Sequence, residues 1–179
     1  MTKAVFIDRD GVLVEDTGFV HKVDDFKLIE NVVEGLKLLK DYKLFIITNQ
    51  SGIGRGIYKL NDFLRFNKHL IKTLKKYNIK IEKTYYCPHK PEDNCECRKP
   101  NTKFLKDAEK DFGIDLKKSF VIGDRKSDMK LGINCKTIFI ANKNNNEVKN
   151  KIPADYFAED LLDAAKWIIK SQKSQIGNF

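Results

Sequence analysis

Two carboxylates that follow a short apolar run are the first residues in the chain able to do chemistry. The run at 4–7 is rich in branched and aromatic residues, which predicts a buried strand, and Asp8 and Asp10 follow it directly. Because an open parallel sheet binds ligands outside the carboxyl ends of its strands, this spacing is suited to a nucleophile and a neighbouring acid. A turn and a helix cap are the alternative for a lone Asp-x-Asp-Gly, so the interpretation depends on downstream residues.

Similar groups follow later apolar runs. Thr48 ends a second strand-like run and precedes the glycine-rich segment 52–56, a combination suited to holding an anion, although a plain strand-to-helix turn has the same composition. Asp124 follows a fourth run and is predicted to meet Asp8 across the sheet. Such paired carboxylates bind Mg²⁺ together with a substrate phosphate. Asp128 would support this site from further out, and helix capping is the alternative for Asp124 and Asp128.

A cluster of cysteines and a histidine predicts a second metal site. The pattern is Cys-x-His-x₅-Cys-x-Cys, and three thiolates with one imidazole are typical of a structural tetrahedral Zn²⁺ site in a reducing compartment. The ligands would be Cys87, His89, Cys95 and Cys97. We expect the metal to pin the loop 87–97, which is predicted to lack secondary structure of its own, and thereby to aim Arg98 and Lys99 at the phosphate site.

The elements that must position these residues alternate between strand and helix patterns. Strand-like runs occur at 4–7, 44–48, 84–86, 119–122 and 137–140. Helical periodicity occurs between them, and a last amphipathic helix is predicted over 161–169. The alternation predicts an α/β fold of three layers, in which helices cover both faces of a parallel sheet. We expect one domain over 1–170, a surface loop at 142–150 and a frayed tail at 171–179.

Length and charge limit the classes of function. The 179 residues suit a single domain, and no apolar run approaches the roughly 18 residues of a membrane span. We therefore expect a cytoplasmic monomer that does not bind membranes. The net charge of +9 comes mostly from dispersed lysines, which indicates a solvated surface. A zinc-stabilised nucleic-acid-binding module is the alternative from a different class, but basic residues interleaved with aromatics on one face are missing.

Together these motifs resemble the haloacid-dehalogenase-type phosphatases. The resemblance rests on Asp8-Arg-Asp-Gly11, Thr48-Asn-Gln-Ser51, the zinc loop with Arg98-Lys99-Pro100, and Gly123-Asp124, and it extends from about residue 4 to residue 140. Within this family the resemblance is most specific to the zinc-containing branch, which includes D-glycero-D-manno-heptose 1,7-bisphosphate 7-phosphatase and histidinol-phosphate phosphatase. The resemblance implies a Rossmann-like fold without a large cap domain, and Mg²⁺-dependent hydrolysis of a phosphomonoester.

The resemblance also implies a role for each matching residue. Asp8 would be the nucleophile that forms an aspartyl-phosphate, and Asp10 would protonate the leaving alcohol and then activate water. Thr48 and Lys99 would hold the phosphoryl oxygens. Mg²⁺ would be bound by Asp8, Asp124 and the backbone carbonyl of Asp10. The substrate-binding residues implied are Asp16, Gly18, Phe19, Asn49, Gln50, Ser51, Arg55, Arg98 and Arg125.

Two substrates stay open, both of them small phosphorylated metabolites. The segments 18–21 and 51–55 look like loops of the heptose enzyme, and Arg55 with Arg98 would serve a second phosphate. The short spacing from His89 to Cys95 looks more like the histidinol enzyme, and Val12 stands where a Thr is usual. We favour removal of the C7 phosphate of a heptose 1,7-bisphosphate for surface glycan synthesis, with histidinol phosphate as the alternative.

Overall fold

In the computed structural model, which describes residues 2–132, 134–141 and 152–176, the chain folds around a six-stranded parallel sheet of order β3-β2-β1-β4-β5-β6. The strands are β1 (Ala4–Ile7), β2 (Lys43–Asn49), β3 (Ile81–Cys87), β4 (Phe120–Gly123), β5 (Lys136–Ile140) and β6 (Tyr156–Ala158). The helices are α1 (Val32–Leu38), α2 (Ser51–Gly54), α3 (Leu60–Lys75), α4 (Lys103–Phe112), α5 (Lys126–Leu131) and α6 (Leu161–Ile176). This confirms the predicted α/β class.

The central strand β1 is buried on both faces because successive side chains alternate between two cores. Val5 and Ile7 belong to the core that α1, α3 and α6 complete. Ala4 and Phe6 belong to the core that α4 completes on the other face. A strand covered in this way is a continuous apolar run, which is why the sequence pattern located it.

The strand order brings the predicted functional segments to one edge. β1 lies between β2 and β4, and Ile7 is in register with Ile46 on one side and with Ile122 on the other. These parallel strands therefore end at nearly the same level, with Asp8 and Asp124 directly after β1 and β4 and Thr48 at the penultimate position of β2. The order changes direction beside β1, and such a switch point is where open α/β sheets bind their ligands.

Several elements differ from the sequence pattern. The pattern missed the edge strand β6, which pairs with β5 and is only three residues long, and it gave β3 as 84–86 although that strand begins at Ile81. The short helices α2 and α5 were also missed, because one or two turns give too few residues for a helical period. Helix α6 runs on to Ile176, since Lys and Gln continue a helix readily, so the tail predicted to fray from 171 is helical there. Residues 177–179 and the loop predicted at 142–150 lie outside the described residues.

Candidate active site

A cavity of about 380 Å³ opens at the carboxyl ends of β1 and β2. The structure brings the predicted catalytic and substrate-binding residues together in its lining: Asp8, Asp10, Asp16, Gly18, Phe19, Thr48, Asn49, Gln50, Ser51, Arg55, Arg98, Lys99 and Arg125. Tyr58, Pro91 and Ser127 complete the lining, and none of them was singled out from the sequence. The volume is that of a site for a small metabolite.

The ammonium group of Lys99 is buried at the floor of this cavity. Its Nζ lies 2.8 Å from Oδ1 of Asp8 and 2.7 Å from Oδ1 of Asp128, and it donates a hydrogen bond of 2.9 Å to the carbonyl of Ile47. These carboxylates raise the pKa of Lys99 to about 12 against the opposing effect of its burial. All three ammonium protons thus have partners, and the lysine is a fixed positive charge.

Asn49 holds the backbone of Lys99 from the end of β2. Its side-chain oxygen accepts a hydrogen bond of 3.0 Å from the Lys99 N–H, and its amide nitrogen donates one of 3.3 Å to the Lys99 carbonyl. Asn49 lines the cavity, yet both ends of its amide are used inside the protein. Within the protein, its amide therefore fixes the backbone of Lys99.

Three carboxylates converge beside Lys99. Asp8, Asp124 and Asp128 each offer an oxygen, and these atoms lie within 4.8 Å of one another. Burial, together with the neighbouring carboxylates, raises the pKa of Asp124 to about 7, and burial raises that of Asp128 to about 6. Such crowding of buried negative charge is what a divalent cation offsets, and carboxylate oxygens are the donors that Mg²⁺ prefers.

Two glycines let these carboxylates approach the backbone. Gly11 has φ of +83°, and a Cβ there would lie 2.3 Å from Oδ2 of Asp124. A Cβ on Gly123 would lie 2.2 Å from the Cβ of Asp128. A larger residue at either position would push a carboxylate out of the cluster, so the turn after β1 and the end of β4 are shaped around it.

The carboxylate of Asp10 lies outside this cluster of three, lines the same cavity and is held by hydrogen bonds. Arg9 binds it in a bidentate manner, with Nε 2.7 Å from Oδ1 and Nη2 3.0 Å from Oδ2, and Gln50 donates a bond of 2.8 Å to Oδ2. Burial raises the pKa of Asp10 above its ordinary value, whereas the Arg9 guanidinium lowers it, and burial has the larger effect. A carboxyl group with a raised pKa is suited to donating and accepting a proton near neutral pH.

Arg9 is fully buried, and no pattern in the sequence predicts this burial. Its guanidinium lies 4.8 Å from the ring centroid of Phe66 and 5.5 Å from that of Phe63, and it also donates to the carbonyl of Val20. In the sequence Arg9 is only the residue between two aspartates. Its burial depends on helix α3, more than 50 residues away, as the separation of Arg9 from Phe63 shows.

The mouth of the cavity is lined by three arginines, each of which already has a partner within the protein. Arg125 Nη2 lies 2.8 Å from Oδ2 of Asp16, whose Oδ1 accepts a hydrogen bond from the Gly18 N–H at 2.9 Å. Arg55 Nη2 lies 3.5 Å from Oε1 of Glu92. Arg98 donates to the carbonyl of His89 at 3.2 Å. Arg55 and Arg98 are therefore both connected to the zinc loop, whereas the sequence indicated this only for Arg98.

The predicted zinc ligands converge at the end of β3. His89 Nδ1 lies 3.7 Å from Cys87 Sγ and 3.3 Å from Cys97 Sγ, while Cys95 Sγ lies 3.4 Å from Cys87 Sγ and 3.6 Å from Cys97 Sγ. Zinc–sulfur bonds of about 2.3 Å in a tetrahedron place ligand atoms about 3.8 Å apart, so the four ligands fit Zn²⁺. The loop was predicted to lack secondary structure, which is wrong, because Pro91–Asp93 forms a 3₁₀ turn that the short ligand spacing concealed.

Comparison with known proteins identifies the family. A family model described as polynucleotide kinase 3 phosphatase matches residues 3–171. A Campylobacter jejuni protein named D-glycero-alpha-D-manno-heptose-1,7-bisphosphate 7-phosphatase is 43% identical over 150 residues, which cover 82% of this chain and 86% of its own length. The chain belongs to the haloacid-dehalogenase-type phosphatases. The family resemblance drawn from the motifs is thereby confirmed.

Other members of this phosphatase family agree over nearly the whole chain. A Haemophilus influenzae protein named D-glycero-beta-D-manno-heptose-1,7-bisphosphate 7-phosphatase is 35% identical over 97% of this chain and 100% of its own length. A solved D,D-heptose 1,7-bisphosphate phosphatase from B. bronchiseptica, complexed with magnesium and phosphate, superposes with a TM-score of 0.87 at 24% identity and covers 95% of this chain and 99% of that one. The last likeness confirms the fold. Within the described ranges, no helix is both long and apolar enough to cross a membrane.

Proposed function

We propose that this phosphatase removes the C7 phosphate of D-glycero-D-manno-heptose 1,7-bisphosphate through an aspartyl-phosphate intermediate. The observation that supports the reaction most directly is the buried contact between Asp8 and Lys99, beside two further carboxylates and under an open cavity. The substrate is supported by the relatives at 35–44% identity, which bear the name of this activity. We place the protein in the cytoplasm, because a reducing compartment suits its four free cysteines. The product would enter surface glycan synthesis.

In the proposed mechanism Asp8 attacks the phosphorus atom of the C7 phosphate. The Thr48 hydroxyl holds a phosphoryl oxygen. The Lys99 ammonium, whose three protons already have partners, acts as a fixed positive charge beside the phosphoryl group and stabilises the charge that develops in the transition state. Asp10 gives its proton to the leaving C7 oxygen as the phosphorus–oxygen bond breaks. It then takes a proton from the water that hydrolyses the aspartyl-phosphate, so the enzyme returns to its starting state.

The donor set beside Lys99 fits Mg²⁺. Asp8 and Asp124 would hold the ion, with Asp128 close enough to contribute, and the backbone carbonyl of Asp10 remains the third ligand that the family resemblance implies. When bound, Mg²⁺ supplies positive charge that lets an anionic phosphate approach an anionic nucleophile. The protein alone already fixes the three carboxylates and aligns Asp8 through a 2.8 Å hydrogen bond from the N–H of Arg9.

Zn²⁺ would be structural, because Cys87, His89, Cys95 and Cys97 together complete a tetrahedron and keep no open position. The loop that they close leads into Arg98 and Lys99. Its Glu92 and His89 also contact Arg55 and Arg98. We therefore propose that zinc fixes the position of both the lysine at the floor and the arginines at the mouth.

Arg55 and Arg98 are the proposed contacts for the distal C1 phosphate. They lie on different segments, yet both line the cavity that also contains Asp8 and Thr48. Both are held by single contacts to exposed or main-chain oxygens, which a phosphate can replace with stronger charge-assisted hydrogen bonds. Phe19, which is 45% exposed, offers an apolar surface for the sugar at the same mouth.

The proposal is tested by measuring phosphate release with three substrates. Heptose 1,7-bisphosphate, histidinol phosphate and fructose 1,6-bisphosphate are compared by kcat/KM at saturating Mg²⁺. We expect the heptose to exceed the others by at least tenfold, because only it combines a seven-carbon sugar with a distal phosphate. A preference for histidinol phosphate would replace the assignment with the alternative drawn from the short zinc-ligand spacing.

The role of Asp8 has its own test. Asp8→Asn is isosteric but cannot attack phosphorus, and we expect no measurable turnover of any substrate. A variant that kept a tenth of the wild-type kcat would contradict covalent catalysis. Asp41→Asn is a suitable control, because Asp41 is an exposed aspartate away from the cavity lining.

A further inference from the structure

The side-chain amide of Gln50 makes four hydrogen bonds within the protein. Its Nε2 donates to Oδ2 of Asp10 at 2.8 Å and to Oγ1 of Thr48 at 2.7 Å. Its Oε1 accepts from the Tyr58 hydroxyl at 2.6 Å and from Nη2 of Arg9 at 3.2 Å. An amide has two donor hydrogens and two acceptor lone pairs, so Gln50 has no hydrogen-bonding capacity left for a substrate.

The orientation of this amide is fixed by the chemistry of its neighbours. A carboxylate only accepts and a guanidinium only donates, so Nε2 must face Asp10 and Oε1 must face Arg9. Tyr58 adds a second donor to Oε1, and because burial raises its pKa to about 12 its hydroxyl keeps its proton. Gln50 is only 2% exposed, which shields these bonds from water.

Tyr58 is itself held tightly. Its ring stacks on that of His21 with centroids 4.5 Å apart, and it fills the space beside Gly52, where a Cβ would lie 2.1 Å from the ring. His21 Nδ1 lies 2.7 Å from the carbonyl of Phe19. Tyr58 therefore connects the segment at the cavity mouth with the amide that touches both Asp10 and Thr48.

We infer that Gln50 and Tyr58 are positioning residues that aim Asp10 at the leaving oxygen and the Thr48 hydroxyl at the phosphoryl group. This inference rests on the proposed phosphatase mechanism and reassigns Gln50, which the sequence indicated as a contact for substrate. Gln50 Nε2 donates a hydrogen bond to the Thr48 hydroxyl oxygen. The hydroxyl proton therefore points away from Gln50, toward the cavity that Thr48 lines. Because Nε2 also bonds Asp10 Oδ2, the carboxyl group cannot rotate about its bond to Cβ.

Proton donation to the leaving oxygen can be measured with substrates whose leaving groups differ in basicity. A poor leaving group such as phenol needs the proton, whereas p-nitrophenol leaves without much help. Gln50→Met keeps the length of the side chain and removes every hydrogen bond. We expect it to lower kcat/KM for phenyl phosphate about 100-fold and for p-nitrophenyl phosphate less than tenfold, in line with the size of general acid catalysis.

Tyr58→Phe should act in the same direction with a smaller effect of about tenfold on phenyl phosphate, because it removes one of the two donors that orient the amide. Tyr85→Phe is the matched control, since the Tyr85 hydroxyl is buried and has no hydrogen-bond partner among the described residues. We expect that control to match the wild type on both substrates. Urea unfolding of each variant verifies that it is folded.

The outcomes separate the inference from the proposed function. Equal losses on both aryl phosphates, or no loss in Gln50→Met, would overturn the positioning role. A selective loss on phenyl phosphate would support it, even if the wild type failed to hydrolyse heptose 1,7-bisphosphate and thereby refuted the proposed substrate alone. A wild type without activity on any phosphomonoester would overturn both.

Discussion

Replacing Lys99 with methionine should destabilise the protein as well as inactivate it. Lys99 is buried against the carboxylates of Asp8 and Asp128, at 2.8 and 2.7 Å, and the variant would leave both without their cation. Removing one partner of a buried ion pair costs about 3–5 kcal/mol of unfolding free energy. An independent limit agrees, because neutralising one aspartate of ordinary pKa 3.8 by protonation at pH 7 costs about 4 kcal/mol.

The loss of stability caused by Lys99→Met should become smaller as the pH falls. In the variant the folded pKa of Asp128 lies further above its unfolded value, so the folded state binds more protons and gains stability as pH falls. Between pH 7 and pH 5 the cost of Lys99→Met should shrink by about 1.4 kcal/mol. The variant gains about 2.7 kcal/mol if one buried carboxylate is protonated throughout, whereas the wild type, in which the pKa of Asp128 is already raised to about 6, gains about 1.4 kcal/mol. Urea unfolding without added Mg²⁺ measures both values.

Two companion variants sharpen the test. Adding Asp128→Asn to Lys99→Met removes one of the stranded charges and should recover about half of the lost stability while leaving the enzyme inactive. Lys103→Met removes a lysine from an exposed pair with Asp107 and should cost less than about 1 kcal/mol. A cost below about 1 kcal/mol for Lys99→Met, or one that does not change with pH, would refute the argument from buried charge.

Three further predictions concern the metals and the mouth. Calorimetry should show that Mg²⁺ binds about tenfold more weakly at pH 6 than at pH 8. The pKa of Asp124 is raised to about 7, so a proton competes with the ion for this carboxylate. An unchanged affinity would exclude Asp124 as a ligand. Cys97→Ser should lose stoichiometric zinc by metal analysis and at least tenfold in kcat, since Lys99 is two residues away. Cys135→Ser, at the one cysteine of the sequence outside the zinc loop, should keep both. Arg55→Ala should lower kcat/KM for the bisphosphate by an amount equivalent to about 1.5–3 kcal/mol, mainly by raising KM, and should change kcat/KM for p-nitrophenyl phosphate little. The control Glu92→Gln removes only the protein partner of Arg55 and should not raise KM for the bisphosphate.

The residues at strand ends could be predicted because one physical rule places them. Buried parallel strands are continuous apolar runs, and polar residues that follow such runs share one edge of the sheet, which located Asp8, Thr48 and Asp124. The zinc ligands could be predicted equally well, since three thiols and an imidazole so close in sequence have few functions other than metal binding.

The connections among these residues could not be predicted, because they depend on tertiary contacts. Arg9 is buried only because α3 brings two phenylalanines over its guanidinium, and Tyr58 bonds Gln50 only because Gly52 leaves room for its ring. Asp128, expected at a distance, reaches Lys99 directly because Gly123 lets helix α5 start close to β4. No local pattern in the sequence encodes these approaches.

The central claim is that the C7 phosphate, and not the C1 phosphate, of a heptose 1,7-bisphosphate is removed. Phosphorus NMR of the reaction distinguishes the two, because the phosphomonoester at C7 and the glycosyl phosphate at C1 have separate resonances. We predict that the C7 resonance disappears as inorganic phosphate grows in while the C1 resonance persists. Loss of the C1 resonance, or a heptose bisphosphate left intact by an enzyme that hydrolyses histidinol phosphate, would contradict the account.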